Sequence, residues 1–221
     1  MVVAGYLAAV CCTPPNPSLE RKRMHKVDRI APFSGIFPYI FRGVLVLLVI
    51  YQALLIVVPG YFPDITAQIC PQLESVNPAL LSWSKTSIIA ITLMLVGAPV
   101  RLSAYGGLGR NFTFNLAAPD QLVTSGIYRW IQHPGYAGQN AILVGCMLLF
   151  MRWDAAPACW IGESSTGMTG WGYTVWVSIL GICLLLLSAR VRDEENMLKE
   201  KFGKQWEDWH RSTKRFIPGL F

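Results

Sequence analysis

The sequence predicts an all-α fold: a polytopic transmembrane helix bundle of about five spans with a cytosolic C-terminal helical cap. Three observations predict it. Apolar residues make up 53% of the 221 and charged residues only 14%, where a soluble domain carries roughly 25% charged. Several stretches approach the roughly 20 apolar residues that a spanning helix needs. The nineteen Lys and Arg, which leave a formal charge of +6, concentrate in alternate segments between those stretches. The same composition excludes a disordered chain, a collagen, a coiled coil and a small disulfide scaffold.

Residues 2–12 are apolar but short, and Pro14, Pro15 and Pro17 around Asn16 end them, since proline cannot continue a helix. This opening admits three readings: a short first span, a signal-peptide core or an interfacial segment. Residues 43–62 carry no charge and one strongly polar side chain, Gln52. Residues 86–100 borrow 78–83 on their N-terminal side, giving a span near 79–100 with Lys85 snorkelling to the interface. Two further spans fall near 134–151 and 171–189, and a C-terminal helix is expected over 190–215.

Cytoplasmic loops retain Lys and Arg. Segment 14–37 holds Arg21, Lys22, Arg23, Lys26 and Arg29, stretch 101–133 holds Arg101, Arg110 and Arg129, and the tail from 190 holds eight more; loops 59–82 and 153–170 hold none. Sixteen of the nineteen therefore share one side, which puts 101–133 and the C-terminus in the cytosol. The Arg21–Arg29 cluster also argues against a cleaved signal peptide. Asn111-Phe112-Thr113 is a glycosylation sequon that this topology leaves unmodified. Trp153, Trp160 and Trp171 at one interface, with Trp130, Trp206 and Trp209 at the other, suit aromatic belts. The six cysteines show no CxxC and no His at ligand spacing, which argues against a metal site. Only Cys70 and Cys159 fall in lumenal loops, where a disulfide is chemically possible.

Two segments carry polar groups where a plain bundle would not place them. The first is LVTSGIYRWIQHPGYAG, residues 122–138. Pro134 suits the first position of a helix and holds His133 out of the helical region. The amides of 135–137 then form a positive helix end suited to an anion, and Gly135 and Gly138 leave room for a ligand near the backbone. A lone His-Pro-Gly is ordinarily just a turn into a helix. Tyr128, Tyr136, Gln139 and Asn140 at the same depth shift the balance towards a site, because polar residues within a membrane are costly.

The second segment is 190–203. Val191, Leu198 and Phe202 form an apolar stripe at helical spacing. Glu194 falls on that stripe and Arg190 lies one turn before it, so a carboxylate and a guanidinium face inward together. Glu195, rotated by roughly 100°, is expected on the solvated side with Arg192 and Lys199. The plain alternative is a surface ion pair worth a few tenths of a kcal/mol. Trp206, Trp209, His210, Arg211, Lys214 and Arg215 suit an interfacial amphipathic helix on anionic lipid. No Walker A, HExxH or GxSxG sequence is present. Gly106-Gly107-Leu108-Gly109 follows a membrane helix, not a strand, so it is no dinucleotide fingerprint.

The 122–138 segment, followed by RVRDEENMLKEKFGKQWEDWHRSTKRFIPGL, resembles the isoprenylcysteine carboxyl methyltransferase family. The Pro-Pro-Asn-Pro after a short apolar start resembles its fungal-type members. The resemblance covers about residues 101–221, which it marks as the catalytic region, with 1–100 as an N-terminal transmembrane region. It implies a multi-pass endoplasmic-reticulum enzyme of CaaX processing that moves a methyl group from S-adenosyl-L-methionine to the carboxylate of a prenylated C-terminal cysteine. Prenylated protein C-termini or prenylcysteine and membrane lipids are the implied partners, with no nucleic acid and no metal. Leu122, Val123, Tyr128, His133, Pro134, Gly135, Tyr136 and Glu194 would line the cofactor site, and Arg190 would face the substrate carboxylate. Arg190 and Glu194 form the implied catalytic pair. One position departs: where the family usually has Arg before the His-Pro, this chain has Gln132.

The chemistry agrees with that resemblance. A sulfonium donor suits aromatic faces and a carboxylate. A carboxylate acceptor is already ionised at pH 7, so positioning replaces a general base, and Arg190 can hold it with bidentate hydrogen bonds. Phospholipid ethanolamine N-methylation would instead need a base; His133 could serve, but Arg190 would repel the ammonium. Another small lipophilic acceptor is a further alternative. A non-enzymatic protein binding anionic lipid leaves Glu194 and His133 without a role, and a membrane reductase using NADPH lacks a recognisable basic cluster for the 2′-phosphate.

Overall fold

The computed structural model describes residues 1–16, 35–161 and 168–217. The basic cluster Arg21, Lys22, Arg23, Lys26 and Arg29 lies outside the described residues. The helices are α1 (Val2–Cys11), α2 (Phe37–Tyr61), α3 (Pro63–Ile69), α4 (Pro78–Leu81), α5 (Lys85–Leu108), α6 (Pro134–Leu149), α7 (Ala158–Ile161), α8 (Met168–Phe202) and α9 (Lys204–Ser212). Among the described residues no strand forms, and one isolated parallel bridge joins Ile131 and Lys214.

Among the described residues, three helical stretches are long and apolar enough to cross a membrane: Phe37–Tyr61, Lys85–Asn111 and Trp171–Phe202. The chain is therefore an all-α, multi-pass membrane protein, as expected. The other two expected spans are shorter than the roughly 20 residues a crossing needs, α6 having 16 residues and α1 having 10. Boundaries also move. The expected 79–100 span breaks at Ser82–Ser84, because Ser84 accepts the Ser87 N–H at 3.1 Å and restarts the helix at Lys85. Residues 190–215 are not one helix. Gly203 takes a positive φ of 51°, a conformation glycine adopts readily, and separates α8 from α9.

The chain forms two compact units. The first comprises Met1–Val10, Arg42–Val96 and Ala141–Ile182. Its loops are tied by side chains: Gln52, the lone polar residue of its stretch, donates to the Leu80 carbonyl at 2.8 Å, and Tyr51 donates to Ile69 O at 2.8 Å. Asn77 caps α4 and also donates to Asp154 at 2.8 Å. Burial alone would raise the Asp154 carboxyl, but hydrogen bonds from Arg152 and Asn77 hold it below its ordinary range. Cys70 and Cys159 form a disulfide, closing a loop of 89 residues amid Leu55, Val76 and Ala158. Closing a loop that long restricts the unfolded chain by about 4.6 kcal/mol.

The second unit comprises Cys11–Phe41, Gly97–Asn140 and Cys183–Phe221, and Arg101 organises its interior. The Arg101 side chain donates to Cys11 O at 3.0 Å and to Gly135 O at 2.9 Å. Its guanidinium lies over the rings of Tyr105, Phe112 and Phe114. A cation on the last carbonyl of α1 also complements that helix's dipole.

Gly138 corrects an expectation. A Cβ there would sit 2.5 Å from the Gly97 carbonyl oxygen and 2.7 Å from Arg101 N. The space it leaves is filled by the backbone of α5, the close approach that small residues permit between membrane helices, and not by a ligand. Gly138→Leu should therefore overpack this crossing, costing about 1–3 kcal/mol or more. A thermal melt in detergent checks it, and an unchanged midpoint would contradict the crossing.

Candidate functional site

The C-terminal part of α8 is buried over more than half its circumference. Arg190, Val191, Asp193, Glu195, Met197 and Leu198 are all buried, an arc of roughly 200° at 100° per residue. Glu194 lies near its middle and is half-buried because it faces a cleft. Arg190, 5% exposed, donates from Nε to the Tyr136 hydroxyl at 3.2 Å and from an Nη to Phe114 O at 2.9 Å.

Arg190 and Glu194 share that cleft with Leu122, Val123 and Tyr128. Asn111, Asn115 and Leu116 line it from the segment between α5 and α6, and Met197, Leu198 and Trp209 complete its apolar side. Tyr128 is fixed from two sides: its ring fills the notch at Gly107, where a Cβ would approach within 3.0 Å, and its carbonyl accepts from Trp209 Nε1 at 3.0 Å. Burial first, and then the Glu194 carboxylate, push its phenol well above the usual range, so it stays a protonated hydroxyl. The cleft's space is about 60 Å³, below the roughly 300 Å³ of a typical small-molecule pocket. A nucleoside-sized ligand must therefore part its walls. The irregular segment 112–125 is the wall with the least regular structure to resist.

Of the expected site residues, Leu122, Val123, Tyr128, Arg190 and Glu194 are brought together. His133, Pro134 and Gly135 do not line the cleft. Pro134 is fully buried, the Gly135 carbonyl is held by Arg101, and the His133 ring turns to Glu195. Tyr136 reaches the cleft through its bond to Arg190 and a side-chain hydrogen bond with Glu194.

Glu195 overturns its expected place on the solvated face. It is 6% exposed, with Oε1 3.2 Å from His133 Nε2 and Oε2 accepting from Arg215 at 2.8 Å. Because a carboxylate only accepts, Nε2 carries the proton. Lys199, the expected partner of Glu195, pairs instead with Glu207 at 3.1 Å.

The residues after α9 hold this group in place. Gln132 N donates to Lys214 O at 2.8 Å and His133 N to Arg215 O at 2.9 Å. The Gln132 side chain is fully engaged: Nε2 donates to His210 O at 3.1 Å, Thr213 O at 3.1 Å and Thr213 Oγ1 at 2.9 Å, and Oε1 accepts from His210 Nδ1 at 2.8 Å. Burial holds the His210 imidazole below its ordinary range, more than Glu195 raises it. Trp206 and Trp209 are also buried, packed with Leu116, Tyr128 and Leu198. They do not form the expected lipid-facing belt, because the apolar face of α9 is spent on the protein's own core.

A multi-pass α-helical membrane protein with a carboxylate and a guanidinium one turn apart on the wall of a small, largely apolar cleft is the class that fold and site define. Within that class, residues 88–162 match the model of the isoprenylcysteine carboxyl methyltransferase (ICMT) family, the family that the motifs resemble. The chain is 29% identical over 147 residues to a protein-S-isoprenylcysteine O-methyltransferase of Dictyostelium discoideum, covering 65% of this chain and 53% of that protein. It is 24% identical over 148 residues to one of Xenopus laevis, covering 65% and 44%. A probable protein-S-isoprenylcysteine O-methyltransferase of Oryza sativa subsp. japonica is 25% identical over 145 residues, 64% of this chain and 65% of that protein. The matched stretch thus spans about half the length of the first two relatives.

Proposed function

We propose that this protein methylates the C-terminal carboxylate of prenylated cysteine in proteins at the membrane, with S-adenosyl-L-methionine as methyl donor. The observation that carries the reading is Arg190. It is a buried guanidinium on the cleft wall, pinned by Tyr136 and Phe114, next to the one carboxylate, Glu194, among the residues lining the cleft. The relatives named above carry this activity in their names.

The donor set suits the cofactor. Glu194 offers a negative charge to its cationic groups, Asn111 and Asn115 offer carboxamides to its polar edges, and Leu116, Leu122 and Val123 offer apolar walls to its base. Bound there, the cofactor would supply a methyl carbon on a cationic sulfur, which leaves as a neutral thioether when the acceptor oxygen takes the methyl. Arg190 holds the acceptor carboxylate, which needs no deprotonation at neutral pH. Tyr128 and Trp209 wall the cleft from water. His133, Pro134 and Gly135 support the site from behind, through Glu195 and Arg101, and Tyr136 steadies Arg190.

Basic residues on alternate segments support a cytosolic C-terminus. The Cys70–Cys159 disulfide supports an oxidising compartment for the opposite loops. Residence in the endoplasmic reticulum fits both. The reading is tested by transfer from labelled S-adenosyl-L-methionine in liposomes, with N-acetyl-S-farnesylcysteine and phosphatidylethanolamine supplied in parallel. Base-labile ester on the prenylcysteine is the expected product. Base-stable label in the lipid would move the reaction to N-methylation, and no transfer to either would leave another lipophilic acceptor or a purely lipid-binding role.

A further inference from the structure

Asn16 stands in the motif Pro14-Pro15-Asn16-Pro17, to which the proposed reaction gives no role. Its side chain donates to two carbonyls far along the chain, Gly109 O at 2.8 Å and Phe112 O at 2.8 Å. A carboxamide nitrogen carries two hydrogens, so both are spent on this one turn.

The turn is the foot of the irregular cleft wall. Gly109 follows the end of α5 at a φ of 52°, and Gly109–Asn111 form a single 3-10 turn closed by Phe112 N donating to Gly109 O at 3.1 Å. Carbonyls at a helix end lack partners within the helix, and Asn16 supplies one from outside. Asn111, which lines the cleft, lies between the two carbonyls that Asn16 holds. The segment bearing Asn16 is itself fixed, because Cys11 O accepts from Arg101 Nε at 3.0 Å and from the Tyr105 hydroxyl at 2.6 Å. Arg101 to Gly109 is about 12 Å of helix, within reach of the chain from Cys11 to Asn16. Pro14 and Pro15 restrict the backbone between them, so Asn16 is presented to the turn with few alternatives.

The far edge of the wall is held more lightly. Lys201 donates to Pro119 O at 2.7 Å from the surface, and Arg110 and Asp120, 3.6 Å apart, have side-chain exposures of 88% and 72%, a pair that solvent weakens. A wall clamped at its foot and loose at its far edge can part for a nucleoside-sized ligand and close on it again in the same register.

We propose that Asn16 is a positioning residue for the methyl-donor site: it clamps the Gly109–Phe112 turn, so that Asn111 and the wall beyond it return to one closed arrangement around S-adenosyl-L-methionine. This role rests on the donor-site reading of the cleft. Without the clamp, binding must order the turn as well as the ligand, and that cost falls on affinity. The transfer step at Arg190 is unchanged once the donor is bound.

The test is equilibrium binding of labelled S-adenosyl-L-methionine to the whole chain in detergent, with kcat and the amide hydrogen exchange of residues 109–125 followed alongside. Asn16→Ala should weaken donor binding about tenfold, equivalent to about 1.4 kcal/mol and within the range of two modest hydrogen bonds, with kcat at saturating donor within twofold of wild type. Exchange over 109–116 should rise in the unliganded variant and return to the wild-type level at saturating donor. Asn16→Asp offers acceptors where two donors are needed and should match alanine, whereas Asn16→Gln keeps the donors and should recover part of the loss. Donor binding within twofold of wild type in Asn16→Ala overturns the assignment, as does a fall in kcat at unchanged affinity, the pattern that a mere loss of folded protein gives. A wild-type chain that binds no S-adenosyl-L-methionine removes the donor-site reading and this role with it. Should Asn16→Ala fail to accumulate, the milder Asn16→Ser carries the test: weakened donor binding at unchanged kcat supports the clamp, and unchanged binding overturns it.

Discussion

Arg190→Ala should lower kcat/KM for carboxylate acceptors about a thousandfold, with S-adenosyl-L-methionine binding retained. A buried, preorganised donor aimed at a reacting group is worth about 3–4 kcal/mol, which is two to three powers of ten in rate. Arg190 also uses its donors on Phe114 O and the Tyr136 hydroxyl, so the alanine variant loosens its neighbours as well as the acceptor. Arg190→Lys should recover little, because a point charge on a flexible stem cannot reproduce a planar fork of five donors. Steady-state kinetics with N-acetyl-S-farnesylcysteine, beside a cofactor-binding isotherm, separates the two effects. A variant within tenfold of wild type would remove Arg190 from the acceptor site.

The second large effect falls on stability. Glu195 and His133 have side-chain exposures of 8% and 2%, and Glu195 also holds Arg215. Glu195→Ala strips the buried His133 N–H of its acceptor, which costs about 1–3 kcal/mol, while Arg215, 46% exposed, loses less. Glu195→Gln keeps the shape and loses chiefly the charge, so about 1 kcal/mol is expected. Lys199–Glu207 is the internal comparison: with side-chain exposures of 58% and 38%, breaking it by Lys199→Ala should cost less than about 0.5 kcal/mol. Thermal melts in detergent rank the variants. Equal midpoints for Glu195→Ala and Lys199→Ala would contradict the buried network.

Helix content and the membrane class were legible in the sequence because hydropathy reports them directly. Helical spacing put Arg190 and Glu194 on one face and Tyr128 stood out among the polar groups of its segment, whereas Leu122 and Val123 came only with the family resemblance. Glu195 was misread for a physical reason. The stripe Val191, Leu198, Phe202 implied one buried face and an opposite wet one. The C-terminal part of α8 is instead covered on both flanks, by segment 112–125 at Phe114 and by the residues after α9 at Arg215. A periodicity argument assumes a single covering surface. Asn111, Asn115 and Leu116 were invisible as cleft residues, since an irregular segment carries no period to read. Trp206 and Trp209 were misplaced because a tryptophan near a predicted membrane end looks the same whether it meets lipid or core. Gln132 was seen as a departure, but its use as the anchor for Thr213 and His210 depends on contacts across about 80 residues, which no local pattern encodes.

The Cys70–Cys159 bond has a consequence for biosynthesis. The 89-residue separation means that Cys70 leaves the ribosome long before its partner and waits as a free thiol while α4, α5 and α6 are made. Closure comes only after both thiols reach the same oxidising space. The bond therefore works as a timestamp on assembly: the faster-migrating oxidised form on a non-reducing gel counts the chains in which Cys70 and Cys159 have met in one compartment, independently of any catalytic assay.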